Sequence, residues 1–156
     1  MYQLQLTESL VTPQDDDVIK ETTVGGVLRS AAATRPDTTA MLELDMEGQT
    51  GRSWTYSELL ADSEKLALAL STRFAPGERI TVWAPNTPEW LLMEYACALA
   101  GLTLVTANPA YQAQELRYVL EQSETVGLFS VKNYRGNPMD KIAATAIEGL
   151  GGIREN

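Results

Sequence analysis

From Glu78 to Leu120 the chain reads ERITVWAPNTPEWLLMEYACALAGLTLVTANPAYQAQELRYVL, and the period of its apolar positions keeps changing. Ile80, Val82 and Ala84 alternate with Thr81 and Trp83. Both sets are apolar or β-favouring, so the run predicts a strand buried on both faces, as in parallel sheets. Pro85-Asn86 ends it. Thr87 is an N-cap, Pro88 suits the first helical position, and Glu89 places a negative charge in the first turn. Trp90 to Ala100 is nearly all apolar, with Glu94 its exception, which predicts a helix covered on most sides, and Gly101 fits its C-terminal cap. Leu102 to Ala107 is a second buried strand, closed by Asn108-Pro109. A helix follows over about 112–122, with Leu116, Val119 and Leu120 inward. Val126 to Val131 is a third strand. Asn137-Pro138 caps a last helix through Ile147, and Gly149-Leu150-Gly151-Gly152 breaks the pattern. Strand, helix, strand, helix, strand implies right-handed crossovers and a partly parallel sheet flanked by helices, an α/β fold.

Upstream, Thr23 caps a helix in which Val24, Val27, Leu28 and Ala31 fall at helical spacing up to Arg35, and Pro36 stops it. Thr39–Leu44 and Arg52–Thr55 read as strands around a Glu47-Gly48-Gln49 turn, a hairpin pattern. Thr55-Tyr56-Ser57-Glu58 is a capping box. Its helix runs to about Arg73 with Leu59, Leu66 and Leu70 on one stripe and Leu60 and Ala67 beside it. Trp54, just before the cap, is placed to act as a hydrophobic staple. The chain divides into a flexible acidic arm (1–22), an α/β unit (23–148) and a Gly-rich tail (149–156).

Composition narrows the chemistry. A chain of 156 residues is most simply one domain, and 44% apolar content is ordinary for a globular protein. The net charge is −9. Part of it is the arm, where Glu8, Asp15, Asp16, Asp17 and Glu21 face Lys20 alone. Adjacent aspartates do not converge on a cation without a turn such as an EF-hand loop, so the arm reads as solvated. The acidic balance argues against nucleic acid, which needs a basic patch. There is no histidine, which removes the commonest general base, Ser-His-Asp and Cys-His triads, and most zinc sites. Cys97 is the lone cysteine and reads as a buried hydrophobe. The N-terminus lacks a basic region followed by an apolar run, and no 18-residue apolar stretch exists. The expectation is a soluble cytoplasmic protein without a transmembrane segment.

Neither G-x-x-x-x-G-K-[ST] nor G-x-G-x-x-G occurs. Gly25-Gly26 lies at a helix start, where an anion could sit, with nothing else in support. Glu58 and Asp62 lie one turn apart and read as a cap and a solvated residue rather than a catalytic pair. Glu94, among apolar neighbours, needs a partner, and an ion pair or a subdomain contact is favoured over a ligand site. Trp54, Trp83 and Trp90 read as core. Asn108 and Tyr111 lie beyond the C-terminal end of a strand, where open α/β sheets bind ligands, and are the positional candidates for a site edge. The competing reading is a turn fixed by Asn-Pro. No catalytic, cofactor-binding or metal-ligating residue is assigned.

Together these segments resemble the AMP-binding adenylate-forming enzymes. Trp54-Thr55-Tyr56-Ser57-Glu58-Leu59 looks like the family's Thr-Tyr-x-Glu-Leu helix start. Gly77-Glu78-Arg79-Ile80 and Asn86-Thr87-Pro88-Glu89-Trp90 look like its Gly-Asp-Arg-Val strand and Asn-x-x-Glu-Trp helix start, with Glu78 where Asp is common. Ala100-Gly101 through Asn108-Pro109-Ala110-Tyr111 and Glu115-Leu116 looks like a second core motif. Its Asn-Pro-Ala-Tyr form is closer to fatty acyl-CoA synthetases than to peptide-synthetase adenylation domains. The likeness spans about Thr23 to Ala146. It implies the N-terminal subdomain of a fatty acyl-CoA synthetase, whose parent enzyme takes fatty acid, ATP and CoA, with Mg at the phosphates. The family's Ser/Thr/Gly-rich loop ending in Pro-Lys-Gly has no counterpart here, nor have its adenine-contacting segment, hinge acid and C-terminal lysine. The isolated chain is therefore expected to bind none of these cofactors and to be inactive, an incomplete piece whose last residues, Gly-Gly-Ile-Arg-Glu-Asn, do not look like family sequence. The alternative is a non-catalytic binding or assembly module reusing the fold, pairing with a separate remainder or with itself through exposed apolar surface. A flavodoxin-like cofactor binder fits less well, because no phosphate loop follows the first buried strand.

Overall fold

A computed structural model describes residues 19–45 and 47–154. The acidic arm up to residue 18 and residues 155–156 of the tail lie outside the described residues. Helix α1 spans Val24–Thr34, with Thr23 as N-cap accepting from the Gly26 amide at 3.0 Å. Strands β1 (Thr39–Leu44) and β2 (Thr50–Thr55) form an antiparallel hairpin in which Met41 faces Trp54. Helix α2 (Tyr56–Ser71) starts with the complete capping box: Thr55 Oγ1 accepts from the Glu58 amide, and Glu58 Oε2 from the Thr55 amide.

The α/β unit follows as β3 (Arg79–Trp83), α3 (Pro88–Ala100), β4 (Thr103–Thr106), α4 (Ala113–Gln122), β5 (Gly127–Ser130) and α5 (Met139–Ile147). The sheet is parallel in the order β4-β3-β5, with Ile80 opposite Leu104 and Val82 opposite Phe129. The central strand is the one whose every position read as apolar or β-favouring, and Ile80 through Trp83 are all buried. Gly101 closes α3 with φ 72°, as its place in the sequence predicted.

Alternation along β3 divides the core into two layers. Ile80 and Val82 face α2 and α3 and pack with Ala67, Leu70, Phe74, Met93, Ala96 and Cys97. Trp83 faces the other way and packs with Leu116, Leu120, Met139 and Ala146 of α4 and α5. On α2 the inward stripe is Leu59, Ser63, Ala67 and Leu70, with Leu66 half-buried at its margin. Ser63 is thus a small polar residue on a face read from its leucines.

The last helix begins differently from the expectation. Tyr134 and Asn137 exchange backbone hydrogen bonds of 3.1 and 2.9 Å around Arg135 and Gly136, whose φ angles are 47° and 82°. Asn137 closes that turn, so it does not cap α5, and no side chain caps the helix. The preceding Arg135-Gly136 pair, with both φ angles positive, makes the turn that takes Asn137. Beyond α5, Leu150 and Ile153 pack against the Trp83 layer. The Arg154 amide donates to the Val126 carbonyl at 2.9 Å, and its guanidinium pairs with Glu78, reaches the Arg73 carbonyl and lies over Phe74.

Candidate functional site at the crevice between β3 and β5

Strand order decides where an open parallel sheet presents a crevice. The chain leaves β3 for α3 on one face and β5 for α5 on the other, so the connections diverge between these two neighbours. Ligands of such sheets sit at this switch point, beyond the strand C-termini. A cleft of about 390 Å³ opens there, lined by Val82 and Ala84 from β3 and its exit, Phe129, Ser130 and Val131 from β5 and its exit, and Trp90. Leu66 of α2 and Met93 of α3 close its floor. A second groove of about 440 Å³ lies across Trp90, between the hairpin residues Leu42 and Leu44 and the start of α3.

The carboxylates around these clefts are engaged with Arg52. Arg52 of β2 donates to Glu43 at 2.8 Å and to Glu89, in the first turn of α3, at 2.6 Å. These bonds raise the Arg52 pKa, the one to Glu43 most, and hold both carboxyls below their ordinary range. The guanidinium therefore ties the hairpin to the head of α3. It also lies 5.3 Å from the Trp54 ring centre. Trp54, expected as a staple, donates its indole N–H to Asp62 at 3.1 Å. That bond, with a second from Lys65, lowers the Asp62 pKa, so Asp62 is an anchor for the hairpin as well as a surface acid.

The residues of the strand–helix corners do not fit a phosphate group. At the β3–α3 corner Pro88 has no N–H, Thr87 Oγ1 takes the Trp90 amide at 3.4 Å, and Glu89 places negative charge in the first turn. At the β4–α4 corner Glu115 does the same, accepting from the Gln112 amide at 2.9 Å. A helix N-terminus attracts an anion through free amides and positive dipole, and both are already answered here by acidic side chains. The Gly25-Gly26 start of α1 offers no better seat, because Thr23 holds the Gly26 amide. Among the described residues no group of three or more acids, histidines or cysteines could hold a metal ion.

Asn108 and Tyr111 lie on the opposite side of the sheet from the crevice. Asn108 is exposed; its carbonyl accepts from the Trp83 indole at 2.8 Å and from the Tyr111 amide at 3.0 Å, and its Oδ1 accepts from the Ala110 amide at 2.9 Å. Tyr111 is half-buried against the Trp83 layer. Glu94 is half-buried in α3 and lines neither cleft; its charge adds to burial in raising the Tyr95 pKa. Cys97 is buried with its thiol pushed up to about 11 by desolvation, which makes it a poor nucleophile. Sequence reasoning missed Phe129, Ser130 and Val131. They carry no motif, and only the lateral order of the strands, which a sequence does not state, shows that β5 borders the crevice.

This architecture is that of the N-terminal subdomains of adenylate-forming enzymes. The profile of the AMP-binding enzyme family matches residues 28–150, and the chain belongs to that family. The mitochondrial medium-chain acyl-CoA ligase of Danio rerio is 36% identical over 118 residues, which are 75% of this chain and 19% of that protein. Bacillus subtilis YngI, named as an acyl-CoA synthetase, is 33% identical over 129 residues, 82% of this chain and 23% of its own. Among solved structures, apo MbtA of Mycobacterium smegmatis superposes with a TM-score of 0.75 at 26% identity, covering 87% of this chain and 24% of the other. The chain thus spans about a fifth of the length of the curated relatives it matches. Among the described residues no helix is long and apolar enough to cross a membrane.

Proposed function

We propose that this chain is the N-terminal portion of an AMP-forming fatty acyl-CoA synthetase, and that the isolated 156 residues do not catalyse the parent reaction. That reaction joins a fatty acid to coenzyme A, with ATP giving AMP and diphosphate and magnesium serving the phosphates. The observation that carries the reading is the family match over residues 28–150, with Thr87, Glu89 and Glu115 occupying the β3–α3 and β4–α4 corners and an apolar-lined crevice between β3 and β5. A leaving diphosphate needs fixed donors or cations aimed at its developing charge, and the residues here supply capped amides and acids instead. What this portion contributes is scaffold. It holds the central strand, and through Arg52 it fixes the hairpin against α3. Asn108 and Tyr111 belong to the same proposal as a site edge, offering the Asn108 amide nitrogen and the Tyr111 hydroxyl beyond β4.

The test is an assay of the purified chain with octanoate, ATP, magnesium and coenzyme A, followed by diphosphate release and octanoyl-CoA. No turnover is expected from the chain alone. Turnover is expected once the remainder of a related ligase is supplied. Product from the isolated chain would overturn the inactivity, and none from the complemented pair would overturn the assignment.

A further inference from the structure

Strand β1 has an edge that its own hairpin does not use. The Asp45 amide donates to the Gln49 carbonyl at 3.0 Å, and Leu44 stands opposite Thr50. In an antiparallel pair every second residue directs both its amide and its carbonyl to the partner, so those of Leu44 and Leu42 point away from β2. The register shift between these two leucines puts its extra residue on β2, and the alternation of β1 is not interrupted. Their amides and carbonyls meet no partner among the described residues. The side chains are uncovered as well. Leu42 is 53% and Leu44 60% exposed, and both line the groove of about 440 Å³ that they share with Trp90 and Leu91. Edge strands are normally blunted by Lys, Pro or an exposed charge. Thr39–Leu44 has no Lys or Pro, and its one charge, Glu43, is held by Arg52. A hairpin of two strands is marginal by itself, and a third strand with an apolar face completes such a sheet.

The chain ahead of its acidic tract has the matching pattern. Tyr2, Leu4 and Leu6 alternate with Gln3, Gln5 and Thr7, the period of a strand that is apolar on one face and polar on the other. The 13 steps from Leu6 to Ile19 reach up to about 43 Å at about 3.3 Å each. That exceeds α1 and β1 laid end to end, which measure about 16 Å and about 20 Å. We propose that residues 2–6 are the third strand of the hairpin sheet. They pair with the open edge of β1 at Leu42 and Leu44 and lay Leu4 and Leu6 against these two leucines in the groove. The aspartates at 15–17 stay in solvent as the link back to α1. The added strand also braces Trp90, the wall that this groove shares with the crevice between β3 and β5.

Amide hydrogen exchange, read by NMR on the full chain at neutral pH, tests this. The double variant Leu4→Asp/Leu6→Asp charges the apolar face of the segment, and Gln3→Asp/Gln5→Asp adds the same charge to its polar face. Exchange at Leu42 and Leu44 is expected to be faster by about tenfold or more in the first variant than in the parent chain, and unchanged in the second. The Asp45 amide, already bonded across the hairpin, is expected to change less. Nuclear Overhauser contacts from the Leu4 and Leu6 methyl groups to Leu42 and Leu44 are expected in the parent chain, and their absence would count against the third strand. Equal exchange at Leu42 and Leu44 in the parent and Leu4→Asp/Leu6→Asp chains would overturn it. Equal acceleration by both variants would also overturn it, by tracing the effect to charge alone. Protection that rises with protein concentration in the parent and in Leu4→Asp/Leu6→Asp alike would assign the edge to a second copy of this chain and overturn the occupant.

Discussion

Thr81 and Thr125 place their hydroxyl oxygens 2.6 Å apart in the interior, Thr81 on the central strand and Thr125 just ahead of β5. Ser123 extends the chain of hydroxyls, 2.7 Å from Thr125 and donating to the Val119 carbonyl at 2.7 Å. The order of donors is thereby set: Thr81 to Thr125, Thr125 to Ser123, Ser123 to the end of α4. A polar relay crosses from helix to sheet in a layer otherwise filled by Trp83 and Leu120.

Thr125→Val removes the middle of this relay and strands the Thr81 hydroxyl without an acceptor, which costs about 1–3 kcal/mol for an unsatisfied buried group. Thr81→Val removes only the terminal donor and costs about 1 kcal/mol. The double variant is expected to be more stable than Thr125→Val, because no donor is left stranded. Urea midpoints at constant slope measure all three. A larger loss for Thr81→Val than for Thr125→Val would refute the donor order.

Ser63 gives the opposite sign. It is fully buried on the inward face of α2, and its hydroxyl has no hydrogen-bond partner. Ser63→Ala removes an uncompensated polar atom without adding volume and improves helix propensity, so a gain of about 1 kcal/mol is expected. A lowered urea midpoint would show that the hydroxyl is satisfied in solution.

The elements from β3 to β4 were legible because capping and period agreed there. Thr87-Pro88-Glu89 started α3, Gly101 ended it, and the run of apolar and β-favouring residues at 80–84 marked the strand that lies in the centre. The parallel sheet followed from the alternation of strands and helices. What was not legible depends on lateral neighbours. Ser63 went unread because the stripe was drawn from its leucine neighbours. Asn137 looked like a helix cap because local sequence does not show that Tyr134 closes on it. Asn108 and Tyr111 read as a site edge because chain order ends a strand there, and chain order says nothing of a crevice at β5. Only strand order shows that the connections diverge between β3 and β5.

Arg52 governs the acid response of the hairpin contact. Its bonds hold the Glu43 and Glu89 carboxyls below their ordinary range in the folded chain, while in the unfolded chain they titrate near about 4.3. Groups depressed on folding stabilise above the unfolded value, and that contribution is lost as pH falls through the folded ones. The bridge is therefore expected to be intact at neutral pH and to release the hairpin below about pH 4. Arg52→Gln should move both carboxyl midpoints up toward about 4.3 and flatten the stability profile on the acid side. Carbon-detected NMR titration of the two glutamates gives the answer directly. Midpoints unchanged by the substitution would mean that the exposed pair is not held in solution, and high salt should weaken it in any case.

Gly127, the first residue of β5, tests how tightly the sheet is docked on α2. A Cβ built there would lie 2.7 and 2.8 Å from two atoms of the Phe74 ring, which is itself buried and set edge-on to Phe129 at 6.3 Å between ring centres. The ring cannot retreat, because Arg154 lies over it, 5.2 Å from its centre, and the Glu78 pair holds Arg154 there. Gly127→Ala is thus an overpacking change with an expected cost of about 1–3 kcal/mol. Phe74→Leu alone should also cost stability by loosening the same layer. Combining it with Gly127→Ala should recover part of the loss, since the smaller side chain makes room for the new methyl group. Thermal or urea unfolding of the two single variants and the double gives the coupling between the sites. Additive losses would show that the strand shifts to accommodate the methyl group, so that the contact between β5 and Phe74 does not set the position of the strand.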